Sequence, residues 1–150
     1  MITRTAKVCF AAVGWLENEV YPGMPELLDR LCQAGKTMMV ATSKPEVFAR
    51  KILDHFQLAA YFSFVGGATL DGVRSTKEEV IDYVLKTKEV VSLSEVIMVG
   101  DRKFDILGAK HAGVSSVGCV YGYGSREELE TAGADYVVDS IGELQNLLLP

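Results

Sequence analysis

The chain has 150 residues, 49% of them hydrophobic and 23% charged, and a net charge of −5. Those values fit one globular domain with its own core and exclude a disordered chain. No basic run with interleaved aromatics exists, so nucleic acid is not expected as a partner, and any phosphate ligand must be held by local groups.

The cysteines, Cys9, Cys32 and Cys119, are few, odd in number and far apart. That argues against a disulfide framework or structural zinc and fits a reducing, cytoplasmic setting. No apolar stretch reaches the roughly 18 residues that span a bilayer, so no membrane partner is expected. Met1-Ile2-Thr3-Arg4 does not open a signal peptide.

From about residue 23 the pattern alternates helix and strand. Pro25 to Ala34 is amphipathic through Leu27, Leu28 and Leu31, and Gly35 closes it as a C-cap would. Thr37 to Ala41 reads as a short buried strand. Pro45 to Phe56 reads as a helix with Pro45 in its first turn. Tyr61 to Val65 reads as a strand ending in Gly66-Gly67, Asp71-Gly72 as a turn, and Lys77 to Lys86 as a helix. Val96 to Val99 is an apolar run that reads as a buried strand, and Phe104 to Ala112 is a helix stopped by Gly113. Then come a strand over Ser116 to Tyr121, a helix over Ser125 to Thr131 capped by Ser125, a strand over Tyr136 to Val138 and a helix over Ile141 to Leu149. Alternating strands and helices predict a parallel sheet with right-handed crossovers.

Three motifs carry chemistry, each where a strand ends. Thr42-Ser43 places hydroxyls before a helix start, where they can donate to a phosphate oxygen or simply cap the helix. Lys77 opens a helix, against the helix dipole, which suits a phosphate counter-charge but also an ordinary surface lysine. Asp101 and Asp105 follow the strand Val96 to Val99 and Gly100. Two carboxylates at the carboxyl edge of an α/β sheet suit Mg²⁺, and the plain alternative is an N-cap and a surface acid. His55 and His111 lack partners at metal spacing. The loop Gly122-Tyr123-Gly124-Ser125 lacks a dinucleotide or P-loop fingerprint and reads as a loop at the ligand edge.

In this order, hydroxyl, lysine and paired aspartates resemble the haloacid dehalogenase (HAD) superfamily of phosphatases. Tyr21-Pro22-Gly23-Met24-Pro25-Glu26-Leu27-Leu28, Val40 to Pro45, Gly100 to Lys110 and Gly133-Ala134-Asp135-Tyr136 resemble its phosphoglycolate-phosphatase-like branch. The resemblance implies a three-layer, Rossmann-like α/β HAD core with a parallel sheet. It implies a Mg²⁺-dependent phosphomonoester hydrolase acting on a small phosphorylated metabolite. Thr42 would contact the phosphoryl group, Ser43 would assist, Lys77 would neutralise charge, and Asp101 would hold Mg²⁺. Asp105 would help directly or through another group.

That family's nucleophile is the first aspartate of an Asp-X-Asp motif on its first strand, and no such motif occurs in these 150 residues. The cap insertion that follows that strand also has no room, so the cap is expected to be absent or vestigial. Residues 1–20 then read in one of two ways, ahead of a core over residues 21–150. Phe10 to Tyr21 resembles the end of a cap returning to the core, which would make the chain the later part of a longer phosphatase. Alternatively, Val8 to Gly14 substitutes for the first strand, with Ala11 and Val13 where the two aspartates would stand. An empty central slot would leave two unpaired strand edges. A strand at about residues 7–13 is therefore expected, with exchange between two chains of a homodimer as another way to fill the slot. Either way the chain is expected to lack turnover. A non-catalytic module binding phosphate, metal or a partner is the alternative.

Overall fold

A computed structural model describes residues 7–10 and 19–150. Six strands form one all-parallel sheet: β1 (Lys7–Phe10), β2 (Thr37–Pro45), β3 (Phe64–Ala68), β4 (Val96–Gly100), β5 (Ser115–Cys119) and β6 (Tyr136–Val138). Their order across the sheet is β3-β2-β1-β4-β5-β6. Strand order reverses at β1 and β4, the place where open α/β sheets form a ligand crevice beyond the strands' carboxyl ends.

β1 fills the central slot. Lys7 pairs with Thr37 and Val96, and Phe10 with Val40 and Val99, so neither inner edge is left open. The expectation of a strand here holds over Lys7–Phe10. Residues 11–13, with the Ala11 and Val13 positions, and the Trp15 to Asn18 part of the cap-like segment lie outside the described residues.

Among the described residues six helices cover the sheet: α1 (Met24–Gln33), α2 (Glu46–His55), α3 (Lys77–Thr87), α4 (Lys103–Ala112), α5 (Arg126–Ala132) and α6 (Ile141–Leu148). The period of two along each strand divides the core between two faces. Met38 and Val40 of β2, with Ile97 and Val99 of β4, pack with Leu27 and Leu28 of α1, Leu53 of α2 and Leu144 of α6. Met39 and Ala41, with Val96 and Met98, pack with Val80 and Ile81 of α3 and Ala109 of α4. β4 is buried along its whole length, which accounts for its unbroken apolar run. Leu129 and Ala132 of α5 meet Ile106 of α4 in a third cluster.

Two strand boundaries depart from the sequence reading. β2 runs on to Pro45 instead of stopping at Ala41, because Pro45 pairs with Ala68 of β3 after a register shift. Thr42 to Lys44 therefore lie on a strand extension, and Pro45 is the N-cap of α2, not its first helical residue. β3 lies three residues later than expected, and Ala59–Tyr61 forms a 3₁₀ turn. Gly66 and Gly67 belong to this strand instead of ending it. A Cβ on Gly67 would lie 2.7 Å from the Lys44 carbonyl oxygen, so the bare backbone is what lets β3 meet the end of β2. The other elements fall within two residues of their expected bounds.

Candidate active site at the carboxyl edge

The site is assembled from the ends of β2 and β4 and the starts of α3 and α4. β4 delivers Asp101, and α4 carries Asp105 one turn further on; both are buried. The Asp105 carboxylate is fully engaged. Its Oδ2 accepts the backbone N–H groups of Asp101 and Arg102, each at 3.0 Å. Its Oδ1 pairs with Lys77 Nζ at 2.9 Å.

Lys77 is the first residue of α3. A lysine there opposes the helix dipole, and two local features offset it. Thr76 Oγ1 accepts the Glu79 N–H at 3.2 Å, while Glu79 Oε2 accepts the Thr76 N–H at 3.0 Å, a complete capping box. The Ser75 N–H, which also donates to Glu79 Oε2 at 2.8 Å, together with the Thr76 N–H holds the Glu79 carboxyl below its usual range, so an acid stays ionised in the same turn. The Lys77 side chain, 9% exposed, also donates to the Ala41 carbonyl at 3.1 Å. It thus ties the end of β2 to α4.

Thr42 is buried, 4% exposed, on the strand extension beside that carbonyl. Its Oγ1 accepts the Lys44 N–H at 3.1 Å, and among the described residues its hydroxyl proton has no acceptor. Ser43 is exposed at the edge. Buried Thr42, Asp101 and Asp105 and part-buried Lys77 thus lie at the same carboxyl edge of the sheet.

Asp101 differs from its neighbour. Its Oδ2 accepts the Tyr123 N–H at 2.9 Å, its own backbone N–H also favours the ionised form, and among the described residues no side chain donates to it. Burial raises its carboxyl above the usual range, and the negative charge of Asp105 adds to this. The Tyr123 amide and the more remote charge of Lys77 only partly oppose the rise. This acid is short of positive charge, because the nearby lysine is paired with Asp105.

The sequence reading missed several supporting groups. Glu128 of α5 accepts both Arg102 Nε and the Lys103 N–H, each at 2.9 Å, and so caps the start of α4. The two N–H···O bonds hold its carboxyl low. Its only sequence signal is the third place of a cap motif after Ser125, which explains a local role and not this reach across to α4. On the other flank, Arg74 lies over the Tyr83 ring at 3.5 Å, donates to the Gly67 carbonyl at 2.8 Å and meets Glu46 at 3.4 Å. This brace fixes the loop that leads into Lys77.

One cation, one hydroxyl and one undercompensated carboxylate at a sheet edge suit a phosphate with a hard metal ion, since phosphoryl chemistry depends mainly on positioning and charge neutralisation. The chain is 41% identical over 139 residues to a 5'-nucleotidase of Pseudomonas aeruginosa, covering 93% of this chain and 62% of that protein. It is 38% identical over 135 residues to a phosphoglycolate phosphatase of Vibrio parahaemolyticus, covering 90% and 59%. The structure of a predicted phosphatase from Clostridium acetobutylicum superposes with a TM-score of 0.86 at 46% identity, covering 92% of this chain and 63% of that one. The chain therefore spans about three fifths of the length of these relatives. The sequence pattern of haloacid dehalogenase-like hydrolases matches residues 11–119. The chain belongs to the haloacid dehalogenase-like hydrolase family.

Proposed function

We propose that the chain carries the phosphate- and Mg²⁺-holding part of a phosphomonoester hydrolase site of the phosphoglycolate phosphatase or 5'-nucleotidase type. The observation that carries this reading is Asp101, a buried carboxylate that among the described residues accepts only backbone amides, beside a lysine already paired with Asp105. Such an acid fits a hard cation. No cluster of three metal-ligating side chains occurs among the described residues, so Mg²⁺ would be held by Asp101 with water and substrate phosphate oxygens. The ion supplies charge neutralisation at the phosphoryl group.

The chain's own groups divide the remaining work. Thr42 offers a hydroxyl proton to a phosphate oxygen, and Ser43 a backbone or side-chain contact. Lys77 brings positive charge. Asp105, with both oxygens engaged, orients Lys77 and the Asp101 loop and so acts on the ion mainly through Asp101.

Phosphate release through an aspartyl-phosphate requires a carboxylate nucleophile at the central strand. Lys7-Val8-Cys9-Phe10 contains none, and the 150 residues hold no Asp-X-Asp. That observation favours a second reading, a non-catalytic phosphate- or metal-binding module. The two share one forecast for these 150 residues: binding without turnover. Titration with orthophosphate and Mn²⁺, monitored by NMR, is expected to show binding to the wild-type chain. Asp101→Asn is expected to lose the metal and Lys77→Met the phosphate. p-Nitrophenyl phosphate should not be hydrolysed. Mg²⁺-dependent hydrolysis that vanishes in Asp101→Asn would overturn the inactive assignment, and absence of both ligands at millimolar concentration would overturn the site itself.

A further inference from the structure

We propose that the loop Gly122-Tyr123-Gly124 is a backbone clamp that positions the Asp101 carboxylate, with Gly122 and Gly124 as positioning residues. What that carboxylate holds rests on the phosphatase reading; that the loop fixes it does not.

Three contacts from the loop reach one residue. The Tyr123 N–H donates to Asp101 Oδ2 at 2.9 Å, and the Gly124 N–H donates to the Asp101 carbonyl at 2.8 Å. Gly122 lies flat against the Asp101 side chain, where a Cβ would overlap Asp101 Cβ and Oδ2. A Cβ on Gly124 would overlap the Asp101 carbonyl oxygen, a backbone atom that cannot swing aside. Neither glycine adopts a left-handed φ, so the requirement is space and not conformational freedom. The Tyr123 ring is 67% exposed and takes no part; its amide does the work. Both bonds would break together if either glycine gained a side chain, because the loop would have to lift as a unit.

The clamp is anchored from behind. Ser125 caps α5 by accepting the Glu128 N–H at 3.1 Å, and Glu128 holds the Arg102 side chain and Lys103 N–H on the far side of Asp101. Asp101 is thus bracketed by the loops that follow β4 and β5. With Oδ2 fixed by the Tyr123 amide, Oδ1 is the oxygen presented to a cation.

The test uses the isotopically labelled chain and Mn²⁺ alone as probe. The wild type is expected to show a through-hydrogen-bond coupling between the Tyr123 amide nitrogen and the Asp101 carboxyl carbon, and Mn²⁺ broadening that Asp101→Asn removes. Gly122→Ala and Gly124→Ala should keep the circular dichroism spectrum, lose the coupling and bind Mn²⁺ about tenfold more weakly, the scale of one hydrogen bond to a charged group. Gly142→Ala, whose added methyl would find its nearest neighbour at 3.7 Å, should change neither. If the alanine variants do not fold, an amide-to-ester replacement at Tyr123 removes the N–H alone and should give the same tenfold loss. The clamp is overturned if the wild type lacks the coupling. It is equally overturned if a folded variant or the ester binds Mn²⁺ within twofold of wild type. Coupling without Asp101-dependent Mn²⁺ binding sinks the metal-site reading and leaves the clamp standing. Mn²⁺ binding that ignores the ester does the reverse.

Discussion

Asp105 is the residue whose removal should cost the fold most among the polar groups of the edge. Asp105→Ala leaves Lys77 without its ion-pair partner in a site 9% exposed, and frees the N–H groups of Asp101 and Arg102. Stripping one partner from a buried pair costs about 3–5 kcal/mol, and a buried donor left unsatisfied about 1–3 kcal/mol. These terms overlap, since water can enter the vacated space. Lys77 also keeps the Ala41 carbonyl. A loss of about 4 kcal/mol is expected, a large share of the 5–15 kcal/mol typical of whole domains. For a chain of this size that lowers Tm by roughly 8–16 °C. Asp105→Asn separates the parts. Its carbonyl oxygen can still accept the two amides, but its NH₂ group faces the lysine ammonium. Lys77→Met relieves that conflict, so the double variant Lys77→Met/Asp105→Asn should be more stable than Asp105→Asn alone. Urea unfolding of the wild type, the two single variants and the double variant, followed by circular dichroism, closes the cycle, and Asp105→Ala is measured beside them. The reasoning fails if Asp105→Ala costs less than about 1 kcal/mol, or if the two substitutions add within the roughly 0.5 kcal/mol expected of independent sites.

Three further outcomes are expected. Asp101→Asn should stabilise the ligand-free fold at neutral pH, because a carboxyl whose folded value is raised above its unfolded value loses stability as pH rises through the folded value. The gain should disappear below the ordinary aspartate range near 3.8; a lower Tm for this variant at pH 7 would contradict the account. Glu128 has the opposite sign: its lowered carboxyl adds stability above its unfolded value near 4.5, which is lost as pH falls through the lower folded value. Glu128→Gln should therefore flatten the acid limb of the stability curve, and Glu128→Ala should cost about 0.5–2 kcal/mol as a lost cap; an unchanged acid limb would exclude the cap. Lastly, burial pushes the Cys119 thiol up to about 12, whereas Cys32 is exposed. Iodoacetamide at pH 8, read by peptide mass spectrometry, should label Cys32 in the native chain and Cys119 only after unfolding; rapid native labelling of Cys119 would refute its burial.

The α/β order and the meeting of Thr42, Lys77, Asp101 and Asp105 were legible because each rests on a local pattern. A buried run delivers an acid, a cap signal starts a helix, and parallel topology brings the strand ends to one edge. Lys77 at a helix start was the sharper clue, since a charge against the dipole needed a partner, and the structure supplies Asp105. The extension of β2 through Thr42 was not legible. It depends on Gly67 of another strand having no side chain, a condition set by tertiary contact and invisible in the local propensity of Thr42-Ser43-Lys44-Pro45. The Tyr123 amide and Gly124 escaped for a similar reason: backbone donors carry no residue signature, and only the flanking glycines marked the place. Glu128 looked like part of its own helix cap because its contact lies 26 residues away in the chain.

The position of β1 has a kinetic consequence. Its four residues join β3-β2 on one side to β4-β5-β6 on the other, so the sheet is continuous only through them. Its partners lie about 30 residues downstream in β2 and about 90 downstream in β4. On loop-closure entropy alone the longer closure costs about 1 kcal/mol more than the shorter, so the β1–β2 pair should form first and the β1–β4 seam later. That seam lies directly below Asp101, which makes the joining of the two half-sheets the folding event that brings the loops after β2 and β4 together.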